Sequence, residues 1–500
     1  MADNDEWSID ANEAVTISLL QPSENPEDDL KTLSSFHPRF TYPIFGDEEI
    51  IFGYQGLNIA LRYSADDLLP NVDITYKKKF QTVGDTKATD VKEIMSEWLP
   101  KYAFDKPTKF NELVQTKQAS IPFKPPGELV QRYSSKGRNF EIWSGLLTDP
   151  SVQELVERIQ ILISFFIEGG TSINLDDQEW TLERWRVFFI YEVQPTKPNT
   201  NVSPYSFVGY STTYRFWTLP KPEPRKKSCL IKPSAKLDLH IPDPSPPTPT
   251  KLPSRFRISQ FLIIPAHQHA SHGIHLYNTI YKFVLLDPTI EDFTVEDPNE
   301  AFDDLRDYCD YTNLVSSALL PKITLTTPTK PAHRISPSSL LSPSSHILYP
   351  LLAATKLSQR QLARLIELYL LTTIPPAHRS PIKALTQKYR AKDENDRRYY
   401  WWRLLVKQRL WRKHKDVLKQ LEKPDRVEKL EETVTSVEED YGRLVSIWQK
   451  KSGDSNDEAR EDKKDEPVER VERKGKRKII DEDEDGEDDG ASVDSKRAKV

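Results

Sequence analysis

Three carboxylates stand where the chain changes direction. Glu296 closes the strand-like run 292–296, Asp297-Pro298 opens the next helical stretch, and Glu168 ends an apolar helix just before Gly169-Gly170. A carboxylate at a strand end that faces a cleft can take a proton from a reacting group, directly or through water. Each also has a plainer use. Asp before Pro is a common helix start, and a Glu beside paired glycines can simply be an exposed helix end. A second stretch, PAHQHASHGIHLYNTIYKF (265–283), invites different chemistry. The strand-like run 261–264 stops at Pro265, and a polar turn leads into apolar residues at helical spacing, Ile274, Tyr277, Ile280, Tyr281 and Val284. The first turn of a helix leaves backbone N–H groups unpaired and carries partial positive charge, which suits a phosphate. The alternative is a solvated strand–helix turn, a common connection.

Such groups need a scaffold. Residues 1–35 read as an acidic lead-in and 36–150 as a strand-rich N-terminal domain, in which Leu57, Ile59, Leu61 and Tyr63 alternate as in a half-buried strand. Residues 151–320 form the domain carrying the turn. They begin with one apolar helix (152–170), continue with two antiparallel strands (184–193 and 207–219), and hold a proline-rich insertion at 220–252. A Pro/Ser-rich linker (321–350) leads to a helical C-terminal domain (351–450), whose first long helix opens with the S-x-x-Q capping box of Ser358 and Gln361. Further on, Leu430, Val434, Val437, Tyr441, Leu444 and Trp448 make one apolar helix face. Residues 451–500, with 18 acidic and 13 basic side chains, are too charged to fold alone and read as a disordered tail.

The fifty Phe, Tyr and Trp residues suffice for a large core. Charge is uneven: residues 1–100 carry 19 acidic and 8 basic side chains, and residues 388–419 carry 12 basic and 4 acidic. The front half suits a basic partner. The basic stretch, with its aromatic residues, admits a nucleic-acid reading. A helix with Trp401, Leu404, Leu405, Trp411 and Leu418 buried and its charges in water explains it better. The two cysteines, Cys229 and Cys309, have no metal-ligand spacing, so no metal is expected, and the count suits a reducing compartment. No apolar run reaches the length of a membrane span.

The segment RISQFLIIPAHQHASHG resembles the acetyl-CoA-binding motif of the GNAT acyltransferase superfamily. In that family a splayed strand holds the pantetheine arm, and a Q/R-x-x-G-x-G/A turn wraps the pyrophosphate. The resemblance assigns Phe261, Leu262 and Ile263 to the arm, and Gln268, His269, Ala270, Ser271, His272, Gly273 and Ile274 to the phosphates. Ser271 replaces the usual middle glycine. Serine there would carry about 1–2 kcal/mol of left-handed strain, with weaker coenzyme binding as the consequence. His269 and His272 lack metal-ligand company and read as turn or solvent residues. Residues 45–76, 166–180 and 293–310 narrow the match. They resemble the catalytic subunits of type B histone acetyltransferases, fungal kind, from about Ser35 to Tyr311 and more loosely through 361–373.

The resemblance implies an α+β GNAT acyltransferase fold, with a mostly antiparallel central sheet and flanking helices. It implies a lysine acetyltransferase that uses acetyl-CoA and acts on the N-terminal tail of newly made histone four, together with histone three, in chromatin assembly. Glu296 would be the general base, Glu168 and Asp297 supporting carboxylates, and Asn299 a coenzyme contact. The cysteines show no base partner, so direct attack by the amine is expected. Tail contacts would come from Tyr214, Arg215 and Phe216 and from Trp180 or Trp185, with Trp185 preferred. Arg215 suits a basic peptide poorly and is expected to point away. The acidic run Asp47, Glu48 and Glu49 would pair with tail lysines or form a solvated turn. The family works with a WD-repeat histone chaperone in cytoplasm and nucleus, and RKGKRK (473–478) and KRAKV (496–500) resemble import signals. A catalytically weak histone escort is the rival reading. Direct DNA binding through 388–419 and membrane association are not expected.

Overall fold

The computed structural model describes residues 5–23, 29–120, 123–195, 202–218, 252–329, 335–342 and 348–457. The insertion at 220–252, except its last residue, parts of the 321–350 linker, Cys229 and both basic runs of the tail lie outside the described residues. The chain is mixed α+β, with two larger sheets. In the N-terminal sheet, strands β1 (Val15–Gln21), β2 (Lys31–Phe36), β3 (Asn58–Ser64) and β4 (Pro70–Thr75) are ordered β2-β1-β3-β4. Strand β3 buries Ile59, Leu61 and Tyr63 and turns Ala60 and Arg62 outward, the expected alternation. The expected lead-in over 1–35 is corrected. It contains β1, which pairs in parallel with β3 and buries Val15, Ile17 and Leu19.

The central sheet has six strands in the order β10-β9-β8-β7-β6-β5. These are β5 (Glu128–Ser135), β6 (Arg138–Leu146), β7 (Trp185–Val193), β8 (Tyr205–Trp217), β9 (Ser254–Ile263) and β10 (Ile290–Val295). All neighbours are antiparallel except β9 and β10, which are parallel. A domain boundary at residue 150 would therefore cut through one sheet, since β5 and β6 belong with β9. Gly209 lets β8 approach β9, where a Cβ would lie 2.4 Å from the Leu262 carbonyl oxygen.

Both sheet faces are covered. On one side Val187, Phe189 and Tyr191 share a core with Ile59 and Tyr63 of the N-terminal sheet and with helices α1 (Pro150–Ile159) and α2 (Ile161–Phe166). The single helix expected over 152–170 is thus two, divided at Gln160, whose side-chain oxygen accepts the Ile173 N–H at 2.6 Å. On the other side Phe188, Phe256 and Phe293 pack on Leu276, Ile280 and Val284 of α3 (His272–Leu286). A fully buried Phe or Leu contributes about 1.5–3 kcal/mol, so these two layers fix the sheet.

Helices α4 (Glu300–Ser316), α5 (Gln359–Thr372), α6 (Glu394–Lys413) and α7 (Lys423–Asp457) follow. Val434, Tyr441 and Leu444 are buried and Leu430, Val437 and Trp448 pack beside them, as their spacing predicts. The capping box is half formed. Ser358 Oγ accepts the Gln361 N–H at 3.3 Å, but the Gln361 amide donates to Asp307 at 2.8 Å and Asp310 at 2.9 Å. Asp310 also accepts the Tyr277 hydroxyl at 2.8 Å, so one buried acid joins α3, α4 and α5. The expectation that α6 keeps its charges in water is corrected. Buried Arg403 pairs with Glu431 and Glu438, and Arg409 with Glu367. The connection before α5 is fastened at Lys356, whose ammonium donates to the carbonyls of Val284 (2.8 Å) and Asp287 (2.6 Å) at the end of α3. Its own carbonyl accepts the Phe293 N–H of β10 at 2.6 Å.

Burial pushes the Asp310 carboxyl up to about 6. A folded-state value above the unfolded one gives stability that is complete below the unfolded value and is lost as pH rises through the folded one. The melting-temperature advantage of the parent over Asp310→Asn should therefore shrink as pH rises from about 4.5 to about 7. Thermal melts of both proteins across that range measure it, and a widening gap would contradict it.

Candidate active site

Strands β9 and β10 pair only from Ser254↔Ile290 to Ile258↔Val295. The Glu296 N–H makes the last bond, to the Ile258 carbonyl at 2.9 Å. The chain then turns away through Asp297, at φ 31°, and Pro298 into α4, while β9 runs on to Ile263. The Ile264 N–H donates to Val208 of β8 at 3.0 Å. By alternation, the main chain of Phe261 and Ile263 faces the edge that β10 has left. On that edge the Ile263 carbonyl accepts the Gln268 side-chain amide at 2.9 Å.

The turn after β9 is a short 3-10 segment, Pro265–His267, followed by residues of alternating hand. His269 has φ 59° and Ser271 φ 62°, the strained left-handed conformation expected for the motif's middle position. Backbone of alternating hand gathers N–H groups into an anion-binding concavity. The His275 N–H bonds the Ser271 carbonyl, so the amides of His272, Gly273 and Ile274 precede the helical ladder. At Gly273 a Cβ would come 3.2 Å from Leu305 of α4 and 3.7 Å from Phe261, so glycine permits the close approach of α3.

The β5–β6 hairpin supports this turn from behind. Ser135 Oγ donates to the Ala270 carbonyl at 3.0 Å, and the Tyr133 hydroxyl lies 2.9 Å from His272 Nδ1. His272 is 1% exposed, with its ring 4.4 Å from that of Phe140, while His275 stacks on Tyr133 at 3.9 Å. His272 is therefore not a solvent residue, although His269 is exposed as expected. Burial pushes the His272 imidazole down to about 4, so it is neutral at pH 7.

Glu296 is held by two residues of β9. Arg257 Nη2 lies 2.9 Å from Oε1, and the Ser259 hydroxyl donates to Oε2. Glu168 is exposed in the turn after α2. Its loop is tied to β9 where the Gln260 amide donates to the Thr171 carbonyl at 2.9 Å, and to the N-terminal region where the Gly169 N–H donates to the Tyr42 hydroxyl at 3.3 Å. Asp297 is exposed and caps nothing. The cap of α4 is Asn299, whose side-chain oxygen accepts the Phe302 N–H at 2.9 Å.

An aromatic wall reaches this carboxylate. Trp185 and Tyr214 are direct partners across β7 and β8, with ring centres 4.7 Å apart, and Phe216 follows Tyr214 at 4.6 Å. The Arg257 guanidinium lies over Phe216 at 4.6 Å, which joins the wall to Glu296.

Comparison with known proteins gives this arrangement a family. A sequence model described as "Histone acetyl transferase HAT1 N-terminus" matches residues 7–168. The chain is 45% identical over 460 residues to the "Histone acetyltransferase type B catalytic subunit" of Aspergillus oryzae, covering 90% of this chain and 87% of that one. It is 46% identical over 453 residues to the protein of the same name from Aspergillus fumigatus (88% and 77% covered), and 31% identical over 451 residues to that of Schizosaccharomyces pombe (90% and 96%). The chain belongs to the type B histone acetyltransferase catalytic subunits. It is an acetyltransferase, a class whose acetyl donor is acetyl-CoA.

Within that family the expected site residues fall into three groups. Glu296 stands where β9 and β10 part, the 261–263 edge runs on from there to the 268–274 turn, and Trp185, Tyr214 and Phe216 reach Glu296 through Arg257. Trp180 is 53% exposed and its ring lies on Arg184, so Trp185 is the tryptophan of the wall. Arg215 leaves the group. It alternates to the opposite face and pairs with Asp287. Glu49 is also engaged elsewhere: its carboxylate accepts the Thr41 N–H at 2.5 Å and the Tyr42 N–H at 3.0 Å. These bonds, led by that from Thr41, lower its pKa, and only Asp47 and Glu48 of the run face solvent. Tyr133, Ser135, Arg257 and Ser259 escaped the sequence reading, since each acts on residues distant in the chain. Among the described residues one cluster, His378, Asp393 and Asp396, has the spacing of metal ligands. His378 already bonds Asp396 at 2.8 Å, and Asp393 caps α6.

Ser271→Gly removes a left-handed Cβ at some cost in unfolded-state entropy, and should stabilise the protein by about 0.5–1 kcal/mol. Thermal melts should show a rise of a few degrees, and calorimetry acetyl-CoA binding at least as tight as the parent's. A lower melting temperature would refute the strain argument.

Proposed function

We propose that this chain, through a GNAT acyltransferase fold, transfers acetyl from acetyl-CoA to a lysine side-chain amine in the N-terminal tail of newly made, non-nucleosomal histone four, with Glu296 as general base. The observation that carries the reading is the position of Glu296, at the point where β10 leaves β9 and the free edge of β9 begins. A lysine amine has a pKa near 10.4, so at pH 7 it must lose a proton before it can attack. Each Glu296 oxygen keeps a lone pair beyond its bond to Arg257 or Ser259, so either can take that proton. Glu168 and Asp297 add negative charge that favours an approaching ammonium.

Acetyl-CoA supplies the thioester. The backbone of Phe261 and Ile263, beside Leu262, would hold its pantetheine arm. The amides of residues 268–274 would hold its diphosphate, and Asn299 stands at the start of α4. The free edge and the left-handed residues of the turn fit such a ligand. Among the described residues the one cysteine, Cys309, is buried in the core, which favours direct attack over an acyl-enzyme. The tail would lie along Trp185, Tyr214 and Phe216, with Asp47 and Glu48 drawing its basic residues.

A nucleic-acid role for residues 388–419 is disfavoured by the pairing of Arg403, Lys407 and Arg409 with carboxylates of the same fold. Work with histone three and a WD-repeat histone chaperone, a link to chromatin assembly, and presence in cytoplasm and nucleus complete the reading. With radiolabelled acetyl-CoA and a histone-four tail peptide, Glu296→Gln should lower turnover about 10²-fold or more while calorimetry shows unchanged acetyl-CoA affinity. Turnover near the parent's would refute the base assignment. Acetyl-CoA binding without turnover in the parent itself would favour the histone escort.

A further inference from the structure

We propose that Arg257 and Ser259 are the positioning residues of the Glu296 carboxylate, and that Phe216 holds Arg257 for this task. The proposal rests on Glu296 being the base. Glu296 lies just past the last paired residue of an edge strand and is partly exposed, so nothing in its own strand fixes its side chain. The two oxygens are instead gripped separately, Oε1 by Arg257 Nη2 at 2.9 Å and Oε2 by the Ser259 hydroxyl.

The backbone supplies the reason both grips come from β9. Thr213 pairs with Ile258 and Thr212 with Gln260, so Ser259 is an extra residue, a bulge in the β8–β9 ladder. Bulges re-aim side chains and recur beside active sites. This one lies level with the end of β10. It brings Ser259 to Glu296 while the next residue, Gln260, fastens the Glu168 loop through Thr171. Arg257 is limited in turn by the Phe216 ring, 4.6 Å from its guanidinium carbon. The aromatic wall and the base therefore share one side chain, and a shift of Phe216 on tail binding would be felt at Glu296. A reacting group misplaced by about 1 Å can cost about 10²-fold in rate, which sets the size of the expected effect.

The test uses the full chain with acetyl-CoA and a histone-four tail peptide, and compares Arg257→Gln, Arg257→Lys, Ser259→Ala, Glu296→Gln and the double variant Arg257→Gln/Glu296→Gln. Arg257→Gln should lower kcat by about 10–100-fold and Ser259→Ala by about 3–10-fold, with the acetyl-CoA Kd from calorimetry and the melting temperature close to the parent's. Arg257→Lys should recover part of the loss. In the Glu296→Gln background Arg257→Gln should add nothing, because there is no base left to aim. If Arg257→Gln does not fold, Ser259→Ala, which removes only a hydroxyl, decides. A kcat within about 2-fold of the parent's for the deciding variant, with Glu296→Gln inactive, overturns the clamp and leaves the base assignment standing. An equal Arg257 loss in the Glu296→Gln background overturns it too, by placing the action of Arg257 elsewhere. Near-normal turnover in Glu296→Gln overturns the base assignment and the clamp together.

Discussion

Two parallel strands that hydrogen-bond for five residues and then part set the terms for the whole molecule. Backbone N–H and C=O groups are obligatory hydrogen-bonding groups, and the parting of β9 from β10 after Ile258 leaves those of Phe261 and Ile263 without a strand partner. Such an edge is ordinarily a liability. Here it lies between the Glu296 carboxylate at the end of β10 and the concave turn at the start of α3, and of its groups the Ile263 carbonyl is met by the Gln268 side chain. The sheet holds this geometry through packing on both faces. One face is packed by the N-terminal sheet with α1 and α2, the other by α3 and the C-terminal helices.

The strand–turn–helix unit was legible because a strand-like run at 261–264 stops at Pro265 and helical spacing begins at Ile274. The left-handed state of Ser271 was legible because a motif that normally places glycine there demands it. What escaped depends on distance along the chain. His272 looks like one more polar turn residue until Tyr133 of the β5–β6 hairpin, 139 residues earlier, closes over it. Strands β5 and β6 carry no local mark of which sheet they join. The short alternation of Val15, Ile17 and Leu19 is easily lost among acidic neighbours, though it forms an interior strand. In the sequence Asp297 was open to either a cap or a chemical role. Asp297 before proline has the right chemistry, but the turn needs it at positive φ, and Asn299 takes the bond instead.

Much of the charge in this chain is structural. Arg403 and Glu367 are buried and Arg409 half-buried, and each is paired, because an isolated buried ion costs several kcal/mol. Sequence composition counts these residues as surface. The fold takes Arg403 out of that surface and pairs Arg409 and Lys407 with carboxylates, while Lys388, Arg390, Lys392, Arg412, Lys413, Lys415 and Lys419 stay exposed. The same economy separates Glu49 from Asp47 and Glu48. Three acidic neighbours read alike in the sequence, yet one carboxylate is committed to the Thr41 and Tyr42 amides.

Lys356 has an implication for how the enzyme divides. Strand β10 is the outer edge of the central sheet, and the carbonyl of Lys356 covers part of it while its ammonium closes the end of α3. Both attachments come from the connection that leads into the C-terminal helices. A fragment that ended after α4 would leave the border of β10 without the Lys356 carbonyl and the end of α3 without its ammonium.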